Sequence, residues 1–377
     1  MAGIYIHIPY CKQKCHYCNF YSVASRSTLP ALVDAIGREA SLQRSYLRGQ
    51  TIDTIYFGGG TPSLLNESEL GYLFDAVAAG FTLSGNAEIT LEANPDDITP
   101  ELLKIWKNLG INRLSIGIQS FNDKDLIYLN RVHNAERAHR CLTDARDAGF
   151  DNLTIDLIFG IPTLDDEGWM RNISLASETG IPHISAYALT VEPKTALDLL
   201  IRKGRVAAVD ELQTARQFEM LMYALEQKGY LHYEISNYCL PGRYALHNTA
   251  YWKGHHYLGL GPSAHSYNGE SRQWNVSSLD AYIKGINQQK PDFEVEFLDV
   301  SQQYNEYVMT GLRTIWGCNP DDIGSKFGKA YAENFIRNAA RWIDRGCVSA
   351  DSGLYTLTRE GKLLADGIAA DLFVTGR

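Results

Sequence analysis

Up to about residue 190 the chain alternates short β-rich runs with helical stretches, and this alternation restricts its fold more than any other feature. The β-rich runs are 4–8, 54–57, 88–92, 113–118, 153–158 and 184–189. Between them, residues 28–47, 67–79, 100–109, 122–148 and 166–179 predict helices. Strand–helix–strand repeats at this spacing predict right-handed βαβ units and a parallel sheet. The α/β fold expected is a partial (β/α)6 barrel rather than a complete eight. Its functional side chains belong at the C-terminal ends of the strands, as in complete barrels. Those ends carry Cys11 to Cys18, Gly58 to Thr61, Glu92, Gln119 and Asp156. A barrel brings them to one rim, whereas a doubly wound open sheet scatters them.

The alternation fades after about residue 200. Residues 208–228 predict a helix, and 230–267, rich in aromatics and histidine, reads as mostly irregular. Helices near 300–315, 320–327 and 331–345 precede β-rich runs at 347–349 and 353–358 and a terminal helix over 359–373. Three helices with a small hairpin predict an α-rich, winged-helix-like C-terminal domain. The expected division is 1–288 for the barrel domain and 289–377 for the appendage, which a chain of 377 residues accommodates.

The segment Pro9-Tyr10-Cys11-Lys12-Gln13-Lys14-Cys15-His16-Tyr17-Cys18-Asn19-Phe20 follows the first strand. Three thiolates in one loop can ligate three irons of a 4Fe–4S cluster and leave the fourth iron open to an exchangeable ligand. The alternative is a structural zinc site. Its fourth ligand would be His16, awkward beside Cys15, or His7. The seven cysteines are an odd number, with Cys141, Cys239, Cys318 and Cys347 scattered, which suits metal ligation in a reducing compartment better than disulfides.

The cysteine loop resembles the radical S-adenosylmethionine (SAM) signature. With Tyr5-Ile6-His7-Ile8-Pro9 and Phe57-Gly58-Gly59-Gly60-Thr61-Pro62, the chain is similar over nearly its whole length to the oxygen-independent coproporphyrinogen III oxidase family and its relatives. The resemblance implies a 4Fe–4S cluster on Cys11, Cys15 and Cys18, with SAM on the open iron. It implies that Tyr5 and Tyr17 flank the cluster and adenine, and that Gly59, Gly60 and Thr61 meet the methionine end. Glu92, Gln119, Asp156 and Arg131 would complete the SAM shell.

Three features separate this chain from the dehydrogenase of that family. Phe20 stands where the dehydrogenase carries a further cysteine. The dehydrogenase's N-terminal extension has no room before Cys11. The run His247-Asn248-Thr249-Ala250-Tyr251-Trp252 resembles the signature of the haem chaperone branch. That branch implies haem binding, with His247 as axial ligand and Tyr251 and Trp252 as flat apolar surface; His255, His256 and His265 are nearby alternatives on the residues alone. The function implied is a haem chaperone that delivers haem to membrane haemoproteins of respiration. The rival is oxidative decarboxylation of coproporphyrinogen III.

A net charge of −9 argues against a nucleic-acid partner. The mixed charges of the terminal helix (Arg359, Glu360, Lys362, Asp366, Asp371) argue the same for the winged-helix-like end. No apolar run approaches the roughly 20 residues that span a bilayer, and Met1 to Tyr5 does not read as a signal peptide. The expectation is therefore a cytoplasmic protein, with a peripheral position at the inner face of the membrane and a homodimer left open.

Overall fold

All six expected parallel strands form, and they pair in chain order. In the computed structural model, which describes residues 1–374, these are β1 (Ala2–Ile8), β2 (Ile52–Gly59), β3 (Leu83–Ala93), β4 (Arg113–Gln119), β5 (Leu153–Phe159) and β6 (His183–Ala188). Strand periodicity of two sorts their side chains. In β1, Ile4, Ile6 and Ile8 are fully buried in the same apolar cluster as Leu32, Val33 and Ile36 of the helix Leu29–Leu42. Tyr5 and His7 point to the opposite face, where Tyr5 stacks on Tyr56 at 6.0 Å. The longer helices after β2 to β5 begin at side-chain caps: Asn66 with Glu69 as a capping box, then Thr99, Asn134 and Asp165.

Three expectations are corrected. The helical stretch 122–148 is two helices, Asp123–Tyr128 and Ala135–Asp147. The break centres on Asn130, whose φ of 61° is left-handed and cannot continue a helix. The region 230–267 is ordered rather than irregular. It supplies β7 (Leu231–Glu234), β8 (Asn237–Cys239), the helix Leu246–Trp252, β9 (His256–Leu260) and β10 (His265–Tyr267). Finally, the terminal helix divides into Arg359–Lys362 and Ala365–Leu372.

Those extra strands extend both edges of the parallel sheet. β9 pairs parallel with β1, and β10, β11 (Ser271–Asn275) and β12 (Phe293–Phe297) follow antiparallel. β8 and β7 add antiparallel beyond β6. Among the described residues the sheet carries twelve strands, and its order runs from β12 at one edge to β7 at the other. Glu39 ties the first of these extensions down. Fully buried on the first helix, its carboxylate accepts from the Gly261 N–H (2.8 Å), Asn275 Nδ2 (2.7 Å) and the Tyr282 hydroxyl (2.5 Å).

The C-terminal helices Val300–Leu312, Pro320–Phe327 and Lys329–Asp344 and the hairpin β13 (Val348–Asp351)–β14 (Leu354–Leu357) enclose a second apolar cluster, from Tyr304 to Leu372. Two backbone bonds tie this unit to the β7 edge: Ile235 N–H to the Arg313 carbonyl and Ile315 N–H to the Tyr233 carbonyl, both 3.0 Å. Among the described residues no helix is long and apolar enough to cross a membrane.

Candidate functional site

A cavity of about 480 Å³ opens at the C-terminal ends of the parallel strands. It gathers Cys11, Cys15, Cys18, Tyr17, Gly59, Gly60, Thr61, Glu92, Gln119, Arg131 and Asp156. Of the residues expected around the cluster and SAM, only Tyr5 lies outside this lining. The rim is thus shared by β1 to β5 and the loops that leave them.

The cysteine loop is pinned from several sides. The Cys11 N–H donates to the Val23 carbonyl (3.1 Å), and the His16 N–H donates to the Leu129 carbonyl (3.1 Å). Lys12 pairs with Asp96 at 2.8 Å and with buried Asp97. All three thiols are half-buried, and burial pushes those of Cys11 and Cys18 up. Loading with iron would therefore release protons from this loop. Soft sulfur donors on one cavity wall fit an iron–sulfur cluster, in which each thiolate meets its own iron. Among the described residues no three His, Cys, Asp or Glu side chains are spaced to share a single ion. His16 Nδ1 is held at the Tyr128 carbonyl (3.0 Å), away from the zinc role considered for it.

Arg131 reaches this wall because of the helix break at Asn130. Its Nη1 lies 3.3 Å from Cys15 Sγ, and its Nη2 donates to Asn94 Oδ1 (2.6 Å) and the Gly117 carbonyl (2.9 Å). Burial works against the guanidinium charge, but Tyr17 and Cys15 outweigh it and the group stays protonated. Asn94 also donates to Thr61 Oγ1 at 3.1 Å. The sequence reading missed this bridging role, although Asn94 stands in the Leu91-Glu92-Ala93-Asn94-Pro95 run that singled out Glu92.

Two carboxyl groups complete the cavity. Burial raises Glu92 to about 7, reinforced by Asp156, while the Tyr56 hydroxyl (2.7 Å) and the Gly59 N–H (3.2 Å) oppose the shift. Burial raises Asp156 to about 6. Two partly protonated carboxyls facing a cavity are ready to receive a cation, whose charge would drive their ionisation. Gln119 ends β4 with φ at 65°, a strained position for a residue with a side chain. The glycines act through the backbone. Gly59 has φ of 108°, and a Cβ there would meet the His7 ring at 2.6 Å; one at Gly60 would meet the Tyr10 carbonyl oxygen at 2.7 Å.

Tyr5 lines a second and larger cavity, about 1010 Å³, between the β1–β9–β10–β11 face and the C-terminal helices. Its walls are aromatic and include Tyr21, Tyr251, Trp252, Tyr257, Trp316 and Phe327. Phe20, 65% exposed, lines both cavities and so joins the end of the cysteine loop to this one.

Tyr251 and Trp252 line this cavity, and His247 does not. It is 2% exposed and faces the barrel interior, at the N-terminal ends of β1 to β3. Its Nδ1 lies 2.7 Å from Thr54 Oγ1, its Nε2 lies 2.7 Å from the Tyr251 hydroxyl, and its backbone N–H donates to Glu88 (3.1 Å). Burial lowers its pKa to about 3. Both ring nitrogens of His247, the residue expected as axial ligand, are thus engaged, and its ring does not line the cavity.

The radical SAM superfamily model matches residues 5–187, the span of β1 to β6. The chain is 34% identical to the haem chaperone HemW of Mycobacterium tuberculosis (strain ATCC 25618 / H37Rv), over 98% of this chain and 94% of that one. It is also 34% identical to the haem chaperone HemW of Bacillus subtilis (strain 168), over 98% of both chains. In structure it is similar to the coproporphyrinogen III oxidase HemN from Escherichia coli, with a TM-score of 0.86 at 24% identity over 99% of this chain and 90% of that one. The chain belongs to the radical SAM superfamily and, within its coproporphyrinogen III oxidase-like branch, to the haem chaperone HemW family.

Proposed function

We propose that this protein binds haem in the second cavity, carries a 4Fe–4S cluster and SAM in the first, and hands haem to membrane haemoproteins of respiration from the cytoplasmic side. The observation that carries this reading is the aromatic-walled cavity of about 1010 Å³ that meets the cysteine loop at Phe20. Cavities of roughly 300–1,000 Å³ with apolar walls and a few polar groups are typical of sites that enclose a sizeable small molecule. Family membership supports the cargo.

When bound, a cluster with an open iron supplies a one-electron donor and a coordination point for SAM. Cys11, Cys15 and Cys18 would hold it, and Arg131 would offset its charge beside Cys15. Glu92 and Asp156 would face the sulfonium or amino group of SAM, with Gln119, Tyr17, Thr61 and the backbone at Gly59 and Gly60 shaping the rest of the pocket. A change in this pocket would reach the haem cavity along Cys18-Asn19-Phe20-Tyr21, because Phe20 lies on both linings. SAM and the cluster would thereby govern haem retention and release. Phe20 occupies the position of the dehydrogenase's extra cysteine, which favours carriage over porphyrinogen decarboxylation.

The test is a haem titration of anaerobically reconstituted protein, followed by absorbance with and without SAM. Stoichiometric haem uptake, with release that responds to SAM, is the expected result. Turnover of coproporphyrinogen III without stable haem uptake would replace this reading with the enzymatic one. A colourless, zinc-loaded protein that binds no SAM would remove both.

A further inference from the structure

The haem cavity has its own histidine. Among the described residues, His7 and His265 are the histidines that line it. His7 is 5% exposed and its Nδ1 sits 3.1 Å from the Tyr5 hydroxyl; its Nε2 has no hydrogen-bond partner but is sealed from solvent. His265 opens β10, is exposed, and among the described residues its ring nitrogens have no hydrogen-bond partner. It stacks on Trp274 of β11 at 6.0 Å, with an interplanar angle of 27°, which orients the imidazole without occupying either nitrogen. His256 is excluded by its Nδ1 contact with Gln50 (2.6 Å) and, like His255, does not line the cavity.

Two cations on the same lining complement an anionic ligand. Lys253 lies over the Trp316 ring at 4.3 Å and Lys326 over the Tyr307 ring at 5.0 Å, and neither has a carboxylate partner within ion-pair distance among the described residues. Arg272, by contrast, is committed to Glu306 at 2.8 Å. Flat aromatic walls, one exposed imidazole with both nitrogens free and two unpaired ammonium groups match the three chemical parts of an iron porphyrin: its faces, its metal and its two carboxylates.

We propose that haem in this cavity takes His265 as its protein axial ligand, with Lys253 and Lys326 receiving the propionates. The assignment rests on the haem-carrier reading above. It moves the ligand from the buried His247 to a strand that the sequence pattern left unassigned. The Glu39 network, through Gly261 and Asn275, holds the turn that presents His265.

The experiment uses full-length protein titrated with ferric haem, comparing wild type, His265→Ala, His247→Ala and Lys253→Ala/Lys326→Ala. Affinity is read by titration and the axial ligand by the Soret band and electron paramagnetic resonance. His265→Ala should weaken binding at least tenfold and change the ligand spectrum, and added imidazole should restore it. His247→Ala, where folded, should keep the wild-type spectrum. The double lysine variant should lose affinity for haem but not for its dimethyl ester. An unchanged spectrum and affinity in His265→Ala would overturn the assignment while leaving haem carriage standing. Failure of the wild type to bind haem would overturn both.

Discussion

The Nε2 atom of His247 lies 2.7 Å from the hydroxyl of Tyr251, one helical turn away, so the ring is locked inside the barrel while its partner faces the larger cavity. With Thr54 on the other nitrogen, the imidazole acts as a hydrogen-bonded plug at the N-terminal ends of the strands. Replacing it by alanine leaves a cavity and two unpaired hydroxyls. His247→Ala should therefore cost about 2–4 kcal/mol of stability. A thermal or denaturant melt measures this, and a loss below about 0.5 kcal/mol would contradict the plug.

Arg131 places a buried positive charge 3.3 Å from Cys15 Sγ. A nearby cation stabilises the more negative, reduced form of a cluster, so its removal lowers the reduction potential. Arg131→Met should bind iron to wild-type content but show a lower cluster potential in a spectroscopic redox titration. An unchanged potential would leave the arginine only its contacts with Asn94 and Gly117.

Changing any one of Cys11, Cys15 or Cys18 to alanine should abolish the broad visible absorption of the anaerobically reconstituted protein. Circular dichroism should stay unchanged, because the loop is held by Lys12, the Val23 carbonyl and the Leu129 carbonyl as well. Retention of a full iron content in any single variant would show that the loop is not the cluster site.

Glu39 gives stability a defined pH dependence. Burial raises its carboxyl from 4.5 to about 7, against the Tyr282, Gly261 and Asn275 donors. The neutral acid is favoured in the folded state, so this contribution is complete below about pH 4.5 and is lost as pH rises through 7. Thermal melts between pH 4.5 and 7.5 should show a steeper fall in stability for wild type than for Glu39→Gln. Parallel curves would mean that the carboxyl does not titrate in this range.

Gly59 combines a φ of 108° with the His7 ring 2.6 Å from where a Cβ would stand. The conformation alone costs an ordinary side chain about 1–3 kcal/mol. Gly59→Ala should lower the melting temperature and, by displacing the backbone beside Glu92, weaken SAM binding. Wild-type SAM affinity in a folded Gly59→Ala protein would detach this turn from the ligand.

Much of the barrel was legible because its signals are local. Period-two apolar runs such as Ile4, Ile6 and Ile8, separated by capped helices, specify βαβ units without reference to distant residues. The cysteine spacing is likewise a property of one short loop, and the rim position of Glu92, Gln119 and Asp156 follows from where each strand ends. The sequence by itself therefore determined the parallel order of β1 to β6, the place of the cysteine loop after β1 and the rim that surrounds it.

Tertiary structure decided the rest, for reasons that no local window contains. The strands β9 to β12 have little periodicity of their own; they form because β1 offers an unpaired edge and Glu39 anchors their turn from more than two hundred residues away. The loop at Asn130 places Arg131 on Cys15 across a sequence gap of 116 residues. The HNxxYW-type run His247 to Trp252 has two faces, and only packing reveals that the histidine faces the barrel while Tyr251 and Trp252 face the cavity. Which imidazole is free depends on which hydrogen bonds the fold has already satisfied, and those partners are remote in sequence.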